Sequence, residues 1–389
     1  MLDKGNANEP AREARVWLRT HPNDPDAYVA LGQAAQLNGD YRASLSFLQA
    51  TYAANPLYRN VPEKWGDDAR RFLHRFPGVH LRAITVRPAP GGALRAKAIN
   101  LLNARKYDAI ESNEKALLRS RAKLGIRWAA FVFAGGLWDA PDNEASWRIN
   151  HARLEAWHKA RPHSLLATIA LARSWTQGAG IARGEEYASQ TPAQNLRTMN
   201  ARLRQAVPLF RSLAPHIRET PLVFSGLQHW GLLAQMPRRA YFTLFQQAQA
   251  AFPSYEAFPI EASTFLLPRW YGRRGEWERF ADAQAKRVGG VRGEIVYADI
   301  ASDKAFYFRD ARKETSAPYA RVKRGLQMAI HSGRDPLADA TTAFVVATRW
   351  HDNAWARQLA LGPLRSQIAA SELSLSTFNI LRVIVFRKP

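Results

Sequence analysis

His151, Glu155 and His158 come closest to a metal-ligating pattern, recurring at i, i+4 and i+7 on one helical face. Imidazole and carboxylate are donors that zinc takes. The two histidines stand about 10 Å apart along the axis, too far for one ion, and no H-E-x-x-H pairing is present. We therefore expect a solvated face and no metal. Glu111 with Glu114, and Glu185-Glu186, pair carboxylates in sequence only. No G-x-S-x-G elbow, Walker loop or dinucleotide-binding glycine pattern occurs. The chain has no cysteine, which excludes disulfides, thiolate nucleophiles, zinc–thiolate sites and iron–sulfur clusters. The expectation is no catalytic residue, no cofactor and no enzyme.

Arginine beside aromatic residues is the remaining chemistry. Arg183 follows the glycine-bearing turn expected at Gly178-Ala179-Gly180, Pro268 precedes Arg269-Trp270-Tyr271-Gly272, and Arg238-Arg239 precedes Tyr241-Phe242. The planar guanidinium fork suits a carboxylate or phosphate. Arg183, Arg269, Trp270, Tyr271, Arg238 and Arg239 are thus the candidate partner-binding residues. An architectural use competes and is preferred. Arginine can cap a helix C-terminus or stack on tryptophan, Pro268 stops a helix, and Gly272 permits a sharp turn. Arg119, Arg121, Lys123 and Arg127 precede Trp128, and Arg321, Lys323 and Arg324 follow Tyr319. Such clusters suit nucleic-acid grooves, and equally helices whose arginine stems cover an aromatic core.

The elements that must position these residues are helical. Residues 25 to 56 resemble one tetratricopeptide repeat, with Tyr28, Leu31, Gly32, a turn at Gly39-Asp40-Tyr41, then Ser44, Leu45, Leu48, Thr51 and Asn55-Pro56. Gly32 and Ser44 are small where two helices would cross, and Asp40 can cap the second. A short helix over 9–21 precedes the repeat, and Trp65, Phe72, Leu73 and Phe76 suggest another before Pro77-Gly78. Residues 86 to 92 have linker composition. Helical spacing then resumes. It predicts a pair turning near Arg105-Lys106, an apolar helix over 124–137, and further helices over 143–160, 164–175 and 191–213. Repeated prolines after 213 punctuate short helices. Only 379–386 leaves strand and capping helix both open.

A family resemblance covers roughly residues 93 to 300. It rests on Ala98-Ile99-Asn100-Leu101-Leu102 through Tyr107, Pro162-His163-Ser164, Ala182-Arg183-Gly184, Leu203-Arg204-Gln205-Ala206, and above all Leu266 to Gly272 with Trp277. Together these resemble the bacterial helical family called domain of unknown function 4034. The resemblance implies a tetratricopeptide-like helical fold and no established activity.

The fold expectation is all-α, a solenoid of antiparallel hairpins, with an N-terminal segment 1–88, a core 93–300 and C-terminal hairpins 301–389. Lys and Arg total 55 against 33 Asp and Glu, so the formal charge of +22 favours an acidic partner. Scattered arginines also suit diffuse basicity. A protein partner is expected first, as for an adaptor or immunity-type protein that sequesters a secreted effector, with nucleic acid on a basic face as the alternative. The N-terminus shows no signal pattern and the longest apolar run, Trp128 to Trp138, is too short to span a bilayer. This gives a cytoplasmic expectation, or periplasmic if a leader was removed.

Overall fold

A computed structural model describes residues 8–22, 25–37, 43, 46–47, 50, 85–87, 90–124, 127–138, 143–184, 190–305, 307–308, 311–365 and 367–369. The chain is all-α, with seventeen α-helices among the described residues. Two compact units form. One spans Pro90–Phe308 and Lys313–Met328; the other combines Met1–Ala89, Arg309–Arg312 and Ala329–Pro389.

The larger unit contains α3 (Pro90–Asn103), α4 (Tyr107–Ser120), α5 (Ala129–Trp138), α6 (Glu144–Ala160), α7 (Leu165–Arg183) and α8 (Ala193–Leu213). It continues through α9 (Pro221–Leu233), α10 (Arg238–Ala251), α11 (Phe258–Phe265), α12 (Glu276–Val288) and α13 (Gly290–Ala305), and takes in most of the later helix Tyr319–His331. The odd-numbered helices α3, α5, α7, α9, α11 and α13 pack each on the next, and each even-numbered helix packs beside its sequence neighbours. That is the connectivity of a solenoid of hairpins. Sequence decides which row a helix joins. All ten residues of α5 are buried, whereas α8 buries one stripe, Met199, Leu203, Ala206, Phe210 and Leu213, and exposes the opposite face, with Arg197, Arg204 and Arg211.

Local signals set the helix ends. Asn143 and Ser146 form a reciprocal capping box at the start of α6, and Ser164 and Thr220 cap α7 and α9. Arg105, in the left-handed region, turns the chain between α3 and α4, at the predicted place. The apolar helix begins later than predicted. A two-residue hairpin, β2 (Lys123–Leu124) with β3 (Arg127–Trp128), precedes it. The stretch Gly178–Gly180 is no turn either, because α7 runs through it. A Cβ on Gly178 would lie 2.3 Å from the Trp147 ring, so this glycine lets the indole of α6 reach the α7 backbone.

In the other unit, α1 (Asn8–Leu18) packs on α2 (Pro25–Leu37) through Ala11, Ala14, Ala27, Leu31 and Ala34. Gly32 is buried. The repeat's turn at 39–41, most of its second helix, the suggested helix around 65–76 and the stretch 379–386 lie outside the described residues. Val86 and Arg87 of the expected linker belong to β1 (Thr85–Arg87), which pairs in parallel with β4 (Gln367–Ala369). Pro90 opens α3, where its missing N–H costs nothing. Helices α16 (Pro336–Arg349) and α17 (Asn353–Leu361) pack together here. The intervening α14 and α15 are Ala311–Glu314 and Tyr319–His331.

Two outcomes follow. Gly178→Ala drives a methyl into Trp147 and should lower stability by about 1–3 kcal/mol in urea denaturation, the range for overpacking. Glu114 on α4 is buried; burial, with a smaller push from Glu111 and against the pull of Lys115, raises its pKa from 4.5 to about 7. A carboxyl raised on folding contributes full stability below its unfolded pKa and loses it as pH climbs through the folded one. Stability should therefore fall between pH 4.5 and about 7. Glu114→Gln should flatten that part of the profile and be the more stable protein at pH 8.

Candidate protein-binding surface

Three of the six predicted residues meet at one corner of the larger unit. After α11 the chain reverses tightly: Trp270 N–H donates to Leu267 O at 2.9 Å, Tyr271 N–H to Phe265 O at 3.2 Å and Gly272 N–H to Leu267 O at 3.2 Å. A Cβ on Gly272 would lie 1.8 Å from Leu266 O, so only glycine fits. The reversal lays Trp270 against a cluster of Ala179, Met199, Leu203 and Leu233, flanked by Trp230. Trp270 is half-buried, and its ring N–H has no hydrogen-bond partner.

Arg183, in the last turn of α7, places its guanidinium 5.0 Å from the Trp270 ring centre and donates to Gly184 O at 3.0 Å. No carboxylate pairs with it among the described residues. Tyr271 Oη donates to Leu232 O at 2.8 Å and so satisfies a carbonyl at the end of α9. The Tyr271 ring packs 4.7 Å from Phe265 and stays 36% exposed. Burial raises the Tyr271 pKa and the Arg183 charge opposes it, so the hydroxyl remains a donor at neutral pH. Chemically, the corner offers a cation on an aromatic face beside an exposed phenol, supported from beneath by packed side chains.

The other three candidates lie elsewhere. Arg269 stacks on Tyr307 at 5.5 Å. Arg238 bonds Glu276 and lies 5.5 Å from the Phe242 ring. Burial works against the Glu276 charge, but Arg238 and the Arg273 backbone N–H hold its pKa below the usual value. Arg239 is exposed on the first turn of α10. Two basic clusters also serve internal contacts: Arg121 lies 5.9 Å from the Trp128 ring, and Arg321 lies 4.0 Å from the Tyr297 ring while bonding Glu294 and Asp282. The solvated face expected around His151 is corrected. His151 is buried, 4.9 Å from the Trp147 ring and 4.1 Å from the Trp175 ring, with Nδ1 2.9 Å from Ser174 Oγ. Among the described residues no group of three His, Asp or Glu could hold a metal ion.

The sequence reading missed a polar seam along the odd-numbered helices. Arg173 of α7 donates to Ser225 O of α9 at 3.2 Å, Ser225 Oγ donates to Glu261 Oε1 of α11 at 3.0 Å, and Lys304 of α13 donates to Ile260 O of α11 at 3.3 Å. Gln228, fully buried, has no partner for either amide atom. Burial lowers the Lys304 pKa against the pull of Asp303 and Glu261. Burial, with Arg173 adding, takes His229 down to about 3, so it is neutral. These polar residues interrupt apolar helices, which is the signal that could have found them.

No family model matches the chain, and no curated protein matches it. Among solved structures, a chain of "Structure of Naa15/Naa10 bound to HypK-THB" is similar at 14% identity, covering 90% of this chain and 60% of that one, with a TM-score of 0.20. This chain thus spans less than two thirds of that chain's length, and so low a score adds nothing to the fold described above. No helix among the described residues is long and apolar enough to cross a membrane.

The corner's packing predicts that Trp270→Ala is destabilising. A fully buried tryptophan costs about 3–5 kcal/mol on truncation; half-buried Trp270 should cost on the order of 2 kcal/mol. Urea denaturation of the purified variant measures it.

Proposed function

We propose that this chain is a non-catalytic helical scaffold that binds another protein, and that Arg183, Trp270 and Tyr271 are part of its contact surface. The observation that carries the reading is the corner itself. An arginine without a carboxylate partner among the described residues lies on the face of a tryptophan, beside a tyrosine 36% exposed. Trp, Tyr and Arg are the residue types that dominate binding hot spots. Their fixed rotamers mean little side-chain freedom is lost on association. The concrete form proposed is an adaptor or immunity-type sequestering protein of a bacterium, acting in the cytoplasm. Membership of the helical family that residues 93–300 resemble belongs to the same proposal.

The test separates binding from folding. Tyr271→Ala with Arg183→Ala removes two partly exposed groups and leaves Trp270 on its cluster. The double variant should melt below the parent, having lost the Tyr271 bond to Leu232 O, yet stay folded at the temperature of purification and lose a stoichiometric protein that co-purifies with the tagged parent after nuclease treatment. Retention of that protein by the double variant would remove this corner from the contact surface.

One observation favours a second reading, a polyanion on the outer face of α8. That helix has four arginines and no Asp or Glu, and Arg197, Arg204 and Arg211 are exposed at seven-residue spacing. If nucleic acid binds there, the slope of log K against log salt should fall by roughly 0.7–0.9 for each phosphate that is no longer neutralised. Replacing all three arginines by glutamine, with RNA and DNA titrations at two salt concentrations, measures that change. An unchanged slope would exclude this face.

A further inference from the structure

A concavity lies away from the Trp270 corner. A cleft of about 180 Å³ opens between the loop joining α10 to α11 and the junction of α12 with α13. Pro259, Val288 and Val296 line it with apolar surface, and Glu256, Arg287 and Arg292 also line it. Glu256 is already neutralised. Lys123 Nζ donates to its Oε1 at 3.1 Å and Arg292 Nε at 2.9 Å, and its side chain is 17% exposed.

Arg287 differs from Arg292. It is exposed, its Nε donates to Gln284 Oε1 at 3.1 Å, and no carboxylate pairs with it among the described residues. Three cations, Lys123, Arg287 and Arg292, therefore accompany one carboxylate. The first turn of α13 carries no acidic residue, so the partial positive charge of its N-terminus is not offset there. The cleft is complementary to an anion that also carries apolar surface.

Its volume narrows the choice. Sites for cofactors and drug-sized ligands run to about 300–1,000 Å³, so this cleft holds one side chain. A C-terminal residue carries its carboxylate and its side chain on a single Cα. One such residue meets both the apolar wall and the arginines, whereas an internal Asp or Glu needs a second side chain for the wall. Capture of a terminal carboxylate is an established mode of peptide recognition.

We propose that this cleft receives the aliphatic C-terminal residue of a partner polypeptide, with its side chain against Pro259, Val288 and Val296 and its carboxylate on Arg287 and Arg292. The inference rests on the protein-binding reading above and names the chemistry of the partner.

The test uses the full chain and three probes: acetyl-Ser-Gly-Leu with a free carboxylate, its C-terminal amide, and acetyl-Leu-Asp-amide. Saturation-transfer NMR and calorimetric titration report binding. The free acid should bind saturably, and the amide at least about tenfold more weakly, as expected when one charge-assisted hydrogen bond is removed. Arg287→Met touches only an exposed side chain, so it should keep the parental melting temperature and lose the preference for the acid. Val288→Asp places a carboxylate of the chain's own beside the arginines and should block the acid probe. Equal binding of acid and amide, no binding of the acid, or parental binding by Arg287→Met would each overturn the proposal. Binding of acetyl-Leu-Asp-amide as tight as that of the free acid would overturn the C-terminal assignment. If the acid fails while the co-purifying protein still responds to the Arg183 and Tyr271 changes, the cleft is excluded and the scaffold reading stands. Absence of any stoichiometric protein co-purifying with the tagged parent would exclude the scaffold reading as well.

Discussion

Everything in the larger unit depends on covering helices that bury most of their surface. The ten residues of α5 are all buried, and α7, α9 and α13 bury most of theirs. Such a helix has little solvent face to turn outward, so it needs neighbours on both flanks. The row of odd-numbered helices supplies them, each closing its predecessor. The even-numbered helices can then be amphipathic. Close approach between layers is local and specific: Gly178 admits Trp147, and over that same indole lies the Arg202 guanidinium, 3.8 Å from the ring centre.

The large positive charge is used differently from what composition alone suggests. Many arginines hold elements together: Arg161 with Asp108, Arg202 with Glu144, Arg321 with Glu294 and Asp282, Arg334 with Asp339. Several join helices distant in sequence. Pairs that stay exposed, such as Arg161–Asp108, contribute little each. The half-buried forks fix geometry, since a guanidinium bound to two carboxylates tolerates few arrangements. Among the described residues, Arg183, Arg287 and the exposed arginines of α8 are not drawn into such pairs.

Helical class was legible because spacing and capping agreed. Asn143, Ser164 and Pro162 marked helix ends that the structure keeps, and the break at Arg105-Lys106 fell where φ turns positive. Two readings went wrong for a shared reason. Gly178–Gly180 looked like a turn, and His151 looked solvated, because sequence shows what a residue permits and not what packs against it. Trp147 explains both, since it fills the space above Gly178 and stacks on His151. The candidate residues divided likewise. Pro268 and Gly272 announced a corner, and the corner is there. Nothing in the spacing could tell that Arg183, some ninety residues earlier, would lie on Trp270 while adjacent Arg269 would turn to Tyr307. The cleft at Arg287 was invisible for the same reason, being assembled from a loop and a helix junction.

The pairing of β1 with β4 has a consequence during synthesis. Among the described residues, the register partner of Thr85 is Gln367. Roughly 280 residues separate the two, which at about 5–20 residues per second is on the order of 15–60 seconds of translation. Through that interval the early strand exposes an unsatisfied backbone edge, while the hairpins of the larger unit are emerging and able to close on one another. The nascent chain thus carries an unpaired edge throughout that interval. A short strand of three residues limits what that edge can capture in the meantime.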